Sequence, residues 1–242
     1  MSFDLPADVI LPVRNVSVRL DPAPHPFGVA NEEAIAQHWR RAVTANPALF
    51  NGEVALLSSL RMEDSDLIGR CHIVRYATFL YWRSLRPISG AGHAYTHAML
   101  VSADNALVAI RMGRSTVNAG LVYFAAGSFE PIDFRDGRAD LEFNMHREVG
   151  EETGIDLSGV PHEARYHLLS KTTGTVLFRR YFLDRSADEL AGEIRRHVAA
   201  EDDPEIEGPV IIRDPNDLPD RLAAQMPGLI EWHFQERIGS RE

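Results

Sequence analysis

The sequence holds one cysteine, Cys71, in 242 residues, which excludes an intramolecular disulfide and fits a reducing compartment. It also holds one lysine, Lys171, so nearly all of its positive charge is arginine. Positive charge is scarce: 25 Lys and Arg stand against 35 Asp and Glu, a formal net charge of −10. That balance argues against general nucleic-acid binding, which sets Lys and Arg against phosphates. No apolar run approaches the ~18 residues of a membrane helix. The opening MSFDLPADVI has no basic stretch leading an apolar one, so no secretory signal is read there. The expectation is a soluble, cytoplasmic protein without a membrane partner. Internal repeats and low-complexity segments are absent as well. What is present is ordinary for a globular chain, with 45% hydrophobic and 25% charged residues. That is enough apolar material for a core without a disulfide or structural metal.

At ~150 residues per domain the chain is one large domain or two small ones. Residues 1–28 alternate in hydrophobicity around Val9, Val13, Val16, Val18 and Leu20 and read as one or two short strands closed by the turn-forming DPAPHPFG. NEEAIAQHWRRAVTANP reads as a helix, with Asn31 at its N-cap, Ile35, Trp39 and Val43 on one face, and Pro47 as its stop. Val54–Leu60 and Leu67–Val74 read as paired strands, and ATFLYWRSL as a short helix. A linker is placed around 89–92. Beyond it, Tyr95–Val101 and Ala106–Met112 flank the hairpin turn SADN, and Leu121–Ala126 reads as a strand. A helix from about Asp140 to Thr153 stops at Gly154. A second hairpin turns at Thr173–Gly174, Ser186 caps the helix ADELAGEIRRHVAA, and VIIR is a late strand. The layout expected is a smaller α+β part over 1–90 and an α/β part over 91–242.

The residues that carry chemistry lie in GSFEPIDFRDGRADLEFNMHREVGEETGIDL. Glu148, Glu151 and Glu152 stand at i, i+3 and i+4 of one helix and so share a face. Carboxylates that close repel one another, and the helix dipole disfavours them toward the C-terminal end. The placement makes little sense for stability. It suits a hard divalent cation, which takes oxygen ligands and shares them with substrate phosphates. Arg147 can hold a neighbouring carboxylate in position. The competing reading is a solvated acidic helix face.

These residues resemble the Nudix hydrolase signature, G-x5-E-x7-R-E-U-x-E-E-x-G-U, with U a bulky aliphatic residue. REVGEETGI, from Arg147 to Ile155, matches its second half at every specified position. The first half departs from it: with five residues between, Gly127 is followed by Asp133 where the family usually has Glu, and thirteen residues rather than seven then precede Arg147. This six-residue insertion, centred on FRDGRAD, is expected in the loop before the helix. The resemblance implies a Nudix-type α/β/α sandwich with a mixed sheet, preceded by the smaller α+β part. It implies a metal-dependent hydrolase that cleaves a phosphoanhydride bond in a nucleoside diphosphate linked to another moiety, NDP–X, with Mg²⁺ or Mn²⁺. On that analogy Glu148, Glu152 and the Gly127 carbonyl are the main metal ligands, Glu151 is a further ligand or acts through water, and Arg147 orients the carboxylates. A homodimer is common in the family and stays open here.

The general base is sought in EDDPEIE, with Glu205 or Glu207 preferred over the other carboxylates of that segment and an exposed acidic loop as the competing reading. Arg111 and Arg114 are candidates for substrate phosphates, surface placement being the competing reading. Phe129 is a candidate to stack on a base, core packing being its alternative. His93 and His97 are not read as a zinc site, nor Cys71 as a nucleophile. NPALFNG, from Asn46 to Gly52, is similar to a segment ahead of the Nudix domain in UDP-sugar-cleaving members, so UDP-sugars are preferred over ADP-ribose, dinucleoside polyphosphates and coenzyme A. The alternative is a non-catalytic Nudix-like nucleotide-binding or regulatory module. An isopentenyl-diphosphate isomerase is disfavoured, because Cys71 lies outside the signature part.

Overall fold

The computed structural model describes residues 3–85, 87–114 and 116–235. The alternating opening residues form β1 (Phe3–Asp4), β2 (Ile10–Val13) and β3 (Asn15–Leu20). Pro26 then starts α1 (Pro26–Ala30), where His25 Nδ1 accepts the Phe27 N–H as the cap. In α2 (Glu32–Ala45) only Ile35 is buried, while Trp39 and Val43 are half-buried. Asn31 occupies the N-cap position, but its side chain donates to the Phe27 carbonyl instead of capping α2. The antiparallel pair β4 (Glu53–Glu63) and β5 (Asp66–Arg75) turns through Asp64 and Ser65, both at positive φ. α3 (Tyr76–Ser84) follows directly, and Asn51 Oδ1 accepts the Ala77 N–H in its first turn.

β6 (Ala94–Val101) and β7 (Leu107–Met112) form the expected hairpin, with Asn105 at φ 60°. The strand expected over 121–126 shrinks to β8 (Val122–Tyr123). The physical reason lies at Ala126, whose N–H goes to a carboxylate rather than to a neighbouring strand. After a 3₁₀ turn, the inserted residues are not a plain loop. They form a hairpin of β9 (Phe134–Arg135) and β10 (Arg138–Ala139) around Asp136 and Gly137, both at positive φ. The remaining elements are α4 (Leu141–Thr153), β11 (Tyr166–Lys171), β12 (Gly174–Phe182), α5 (Ala187–Ala200), β13 (Ile206–Ile212) and α6 (Met226–Gln235). Among the described residues there are thus six α-helices and two β-sheets, and the fold is of the α/β class expected. No described helix is long and apolar enough to cross a membrane.

The chain packs as two compact units that interleave along the sequence. The first comprises Met1–Thr96, Gly127–Asn144 and Arg165–Leu177, and the second His97–Ala126, Met145–Ala164 and Phe178–Glu242. The boundary expected between residues 90 and 91 falls inside the first unit, and that unit regains the chain twice downstream.

The first unit contains a mixed sheet in the order β1-β4-β5-β3-β10-β9. β1–β4 and β3–β5 are parallel, and the other pairs are antiparallel. The inserted hairpin extends this sheet at β3, through Arg138 opposite Arg19. Period-two alternation along β4 splits the core: Ala55 and Leu57 join Leu67, Cys71 and Phe129 in one cluster, while Val54 and Leu56 join Phe79 and Trp82 in another. Burial pushes the Cys71 thiol up to about 12, so it stays protonated and inert.

In the second unit β7 pairs antiparallel with β13, whose register shifts between Ile206 and Gly208, and α5 packs on both strands. Ser186 opens α5 with a reciprocal cap, accepting the Glu189 N–H while the Glu189 carboxylate accepts the Ser186 N–H. Val149, Ile155, Tyr181, Leu190 and Ile194 are among its buried core residues.

Candidate functional site

The carboxylates stand on the part of α4 that belongs to the second unit. The helix begins where Asp140 Oδ1 accepts the Phe143 N–H, at 3.0 Å. It ends at Gly154, whose φ of +72° is the left-handed conformation of a helix-terminating residue. The Thr153 hydroxyl donates to the Val149 carbonyl and accepts the Ile155 N–H, closing the last turn. Between these ends the 3.6-residue period turns Met145 and Val149 into the core at 1% and 0% exposure. It leaves Glu148 and Glu152 at the border, at 9% and 5%, and Glu151 outside.

Arg147 binds two of the three carboxylates, Glu148 Oε1 at 2.7 Å and Glu151 Oε2 at 2.9 Å. Glu152 is held differently: its Oε2 accepts the Ala126 N–H at 2.9 Å. Burial, and next the negative charge of Glu148, hold the Glu152 carboxyl well above the usual carboxylate range. The Ala126 N–H opposes that rise, and Glu205 and Glu151 add to it. A buried carboxyl pressed by three other carboxylates calls for positive charge nearby.

A divalent cation would answer that demand. Among the described residues no group of three or more His, Cys, Asp or Glu side chains stands in a geometry ready to hold a metal. Mg²⁺, however, is ordinarily held by one or two carboxylates, with waters and substrate phosphates completing its shell. Glu148 and Glu152 supply that number and that chemistry, so the donor set fits.

Glu205 and Glu207 are not equivalent. The acidic loop ends at Glu205, whose carbonyl accepts the Gly113 N–H at 2.8 Å. Its exposed carboxylate is the one whose charge reaches Glu152. Glu207 lies in β13 at the register shift, 3.4 Å from Arg114 Nε. The Arg114 side chain is 92% exposed, whereas Arg111 is engaged by Asp220 at 2.8 Å and by the Gly120 carbonyl at 3.0 Å.

Other expected residues lie in the first unit. Gly127 belongs there, directly after Ala126 in the chain. Phe129 is 2% exposed and packs in the core with Leu57 and Leu141. Asp133 is fully buried, and its carboxylate accepts the Glu130 N–H at 2.8 Å and the Asn144 side-chain amide at 2.9 Å. Thr96 donates in turn to Asn144. His93 bonds Ser128, and His97, in the second unit, accepts from Gln225. One contact near the carboxylates was not read from the sequence: His197 of α5 donates to the Glu151 carbonyl at 3.0 Å. A basic residue in the last turn of α5 was the only signal it left.

No family model matches the chain, and no curated protein matches it in sequence. Several solved structures resemble it. DR0079 from Deinococcus radiodurans is 12% identical, with 76% of this chain and 99% of that one covered and a TM-score of 0.46. The NUDIX domain of Shewanella oneidensis NrtR, complexed with ADP ribose, is 14% identical, with 63% and 94% covered and a TM-score of 0.39. The MutT protein from Methanosarcina mazei Go1 is 22% identical, with 37% and 61% covered and a TM-score of 0.27.

Proposed function

We propose that this chain is a divalent-cation-dependent hydrolase that cleaves a phosphoanhydride bond in a nucleoside diphosphate linked to another moiety. The observation that carries the reading is the buried Glu152 beside Glu148, in the order REVGEETGI, with its carboxyl held above the usual range by burial and by the Glu148 charge. Glu148 and Glu152 would hold Mg²⁺ or Mn²⁺, and Glu151 would contribute through water. When bound, the cation neutralises charge on the phosphate oxygens and lowers the pKa of water.

The rest is done by the chain's own side chains. Arg147 keeps Glu148 and Glu151 apart and oriented. Arg114, the more exposed of the two candidate arginines, binds a substrate phosphate; Arg111 is already engaged. Glu205 is preferred over Glu207 as the base that takes the proton of the attacking water, because its charge reaches Glu152. Water adds to one phosphorus, the bridging P–O bond breaks, and the products are a nucleoside monophosphate and the phosphorylated moiety. UDP-sugars are the preferred substrate class, on the likeness of NPALFNG, with ADP-ribose next.

The test is product release from UDP-glucose, ADP-ribose, diadenosine polyphosphates, coenzyme A and plain NTPs with Mg²⁺ or Mn²⁺, with Glu152→Gln as control. Turnover of one class that disappears in the variant is the expected result. Nucleotide binding without turnover of any of them selects the regulatory module instead.

A further inference from the structure

We infer that His197 is a positioning residue for the carboxylate face: its imidazole ties the end of α4 to the acidic segment that carries Glu205. The inference rests on the reading of Glu148 and Glu152 as cation ligands. Three contacts support it. His197 Nε2 lies 3.0 Å from the Glu151 carbonyl oxygen, so one N–H from another helix satisfies a carbonyl in the last turn of α4. The same nitrogen is 3.3 Å from Glu201 Oε1, at the point where α5 gives way to the acidic segment. The ring also fills the space over Gly154: a Cβ there would stand 2.7 Å from Nδ1 and 2.8 Å from Cγ. Glycine at 154 therefore serves the approach of this ring as well as the positive φ.

The acidic segment is tied at both ends. His197 and Glu201 pair at its start, and the Gly113 N–H bonds the Glu205 carbonyl at its finish. Between them lies the segment that ends at Glu205, whose charge acts on Glu152. His197 touches neither a substrate nor a reacting atom. It acts through the peptide of Glu151 and the carboxylate of Glu201, as outer-shell groups orient metal ligands elsewhere.

The test uses two polar replacements at this part-exposed helical position. Gln places its amide nitrogen about where Nε2 stands, and Asn falls one bond short. Metal-free protein is titrated with Mn²⁺, followed by loss of the free-ion paramagnetic resonance signal, with Glu152→Gln setting the background. Outer-shell losses run at ~10- to 100-fold in metal affinity or activity. His197→Asn is expected to lose that much in Mn²⁺ affinity and in kcat, with nucleotide KM little changed, while His197→Gln recovers most of it. Equal behaviour of the two variants, whether both intact or both impaired, overturns the inference. A wild-type chain that binds no more Mn²⁺ than Glu152→Gln overturns the functional reading itself, and this inference with it.

Discussion

At the scale of single residues, Glu152 sets function against stability. Its carboxyl is held above the usual range by burial and by Glu148, so ionising it at neutral pH costs the folded state more than the unfolded one. A neutral isostere removes that cost and can keep the bond to the Ala126 N–H. Glu152→Gln should therefore raise the melting temperature of the metal-free protein at pH 8 while reducing turnover by at least ~10²-fold, the scale of losing a strong transition-state contact. A variant that melts lower than wild type, or that turns over normally, would sink this account of the residue. Asp133 has the opposite character. It stands where the Nudix signature usually has Glu, yet its carboxylate is spent on the Glu130 N–H and the Asn144 amide. Asp133→Ala leaves buried donors unpaired at ~1–3 kcal/mol each. Chemical denaturation should register that loss; an unchanged midpoint would mean those bonds do not matter.

At the scale of elements, two helix ends in the second unit invite a paired comparison. Ser186 caps α5 reciprocally with Glu189. Ser186→Ala should cost ~1 kcal/mol in denaturation and leave Mn²⁺ affinity unchanged. Gly154→Ala should cost more, since the left-handed conformation alone is worth ~1–2 kcal/mol, and the new methyl would press on His197. It should weaken Mn²⁺ binding as well, and intact binding would separate the end of α4 from its carboxylates. These ends also mark how far the sequence could be read. α4, its stop at Gly154 and the Ser186 cap were legible because caps, stops and periodicity are local properties. The strand over 121–126 was misjudged because Ala126 gives its N–H to a carboxylate 26 residues away. The inserted FRDGRAD reads as a loop from sequence, although its Asp-Gly turn carries the hairpin that extends the first sheet. The interleaving of the units was not legible, since composition is read in chain order while strands pair out of it. His197 was silent for a similar reason: an imidazole against a backbone carbonyl leaves no spacing to recognise.

At the scale of the whole molecule, buried histidines set the response to acid. His25, His97 and His233 are 2%, 0% and 2% exposed. Burial lowers all three from 6.5, His97 to about 3 and His233 to about 4. In the unfolded chain each takes a proton near pH 6.5, while in the folded chain His97 stays neutral down to about 3, His233 down to about 4, and His25 is shifted in the same direction. Between those limits the unfolded state binds more protons, so stability falls as pH falls. The slope is at most about 1.4 kcal/mol per pH unit for each histidine. Glu152 works the other way, because a raised carboxyl makes the folded state the better proton acceptor above 4.5. Burial also lowers His93 to about 3, so it is one group against four and the histidines decide the sign. Both units should be affected, His25 lying in the first and His97 and His233 in the second. Urea unfolding at pH 7.5, 6.0, 5.0 and 4.5 should give midpoints that drop steadily below about pH 6.5, with the slope reduced in His97→Gln. Since Gln at 97 cannot take a proton in either state, the midpoint of that variant should rise relative to wild type as the pH falls from 7.5 to 5. Midpoints that hold level from pH 7.5 to 5.0 would mean the histidines are solvated enough to protonate in the folded protein.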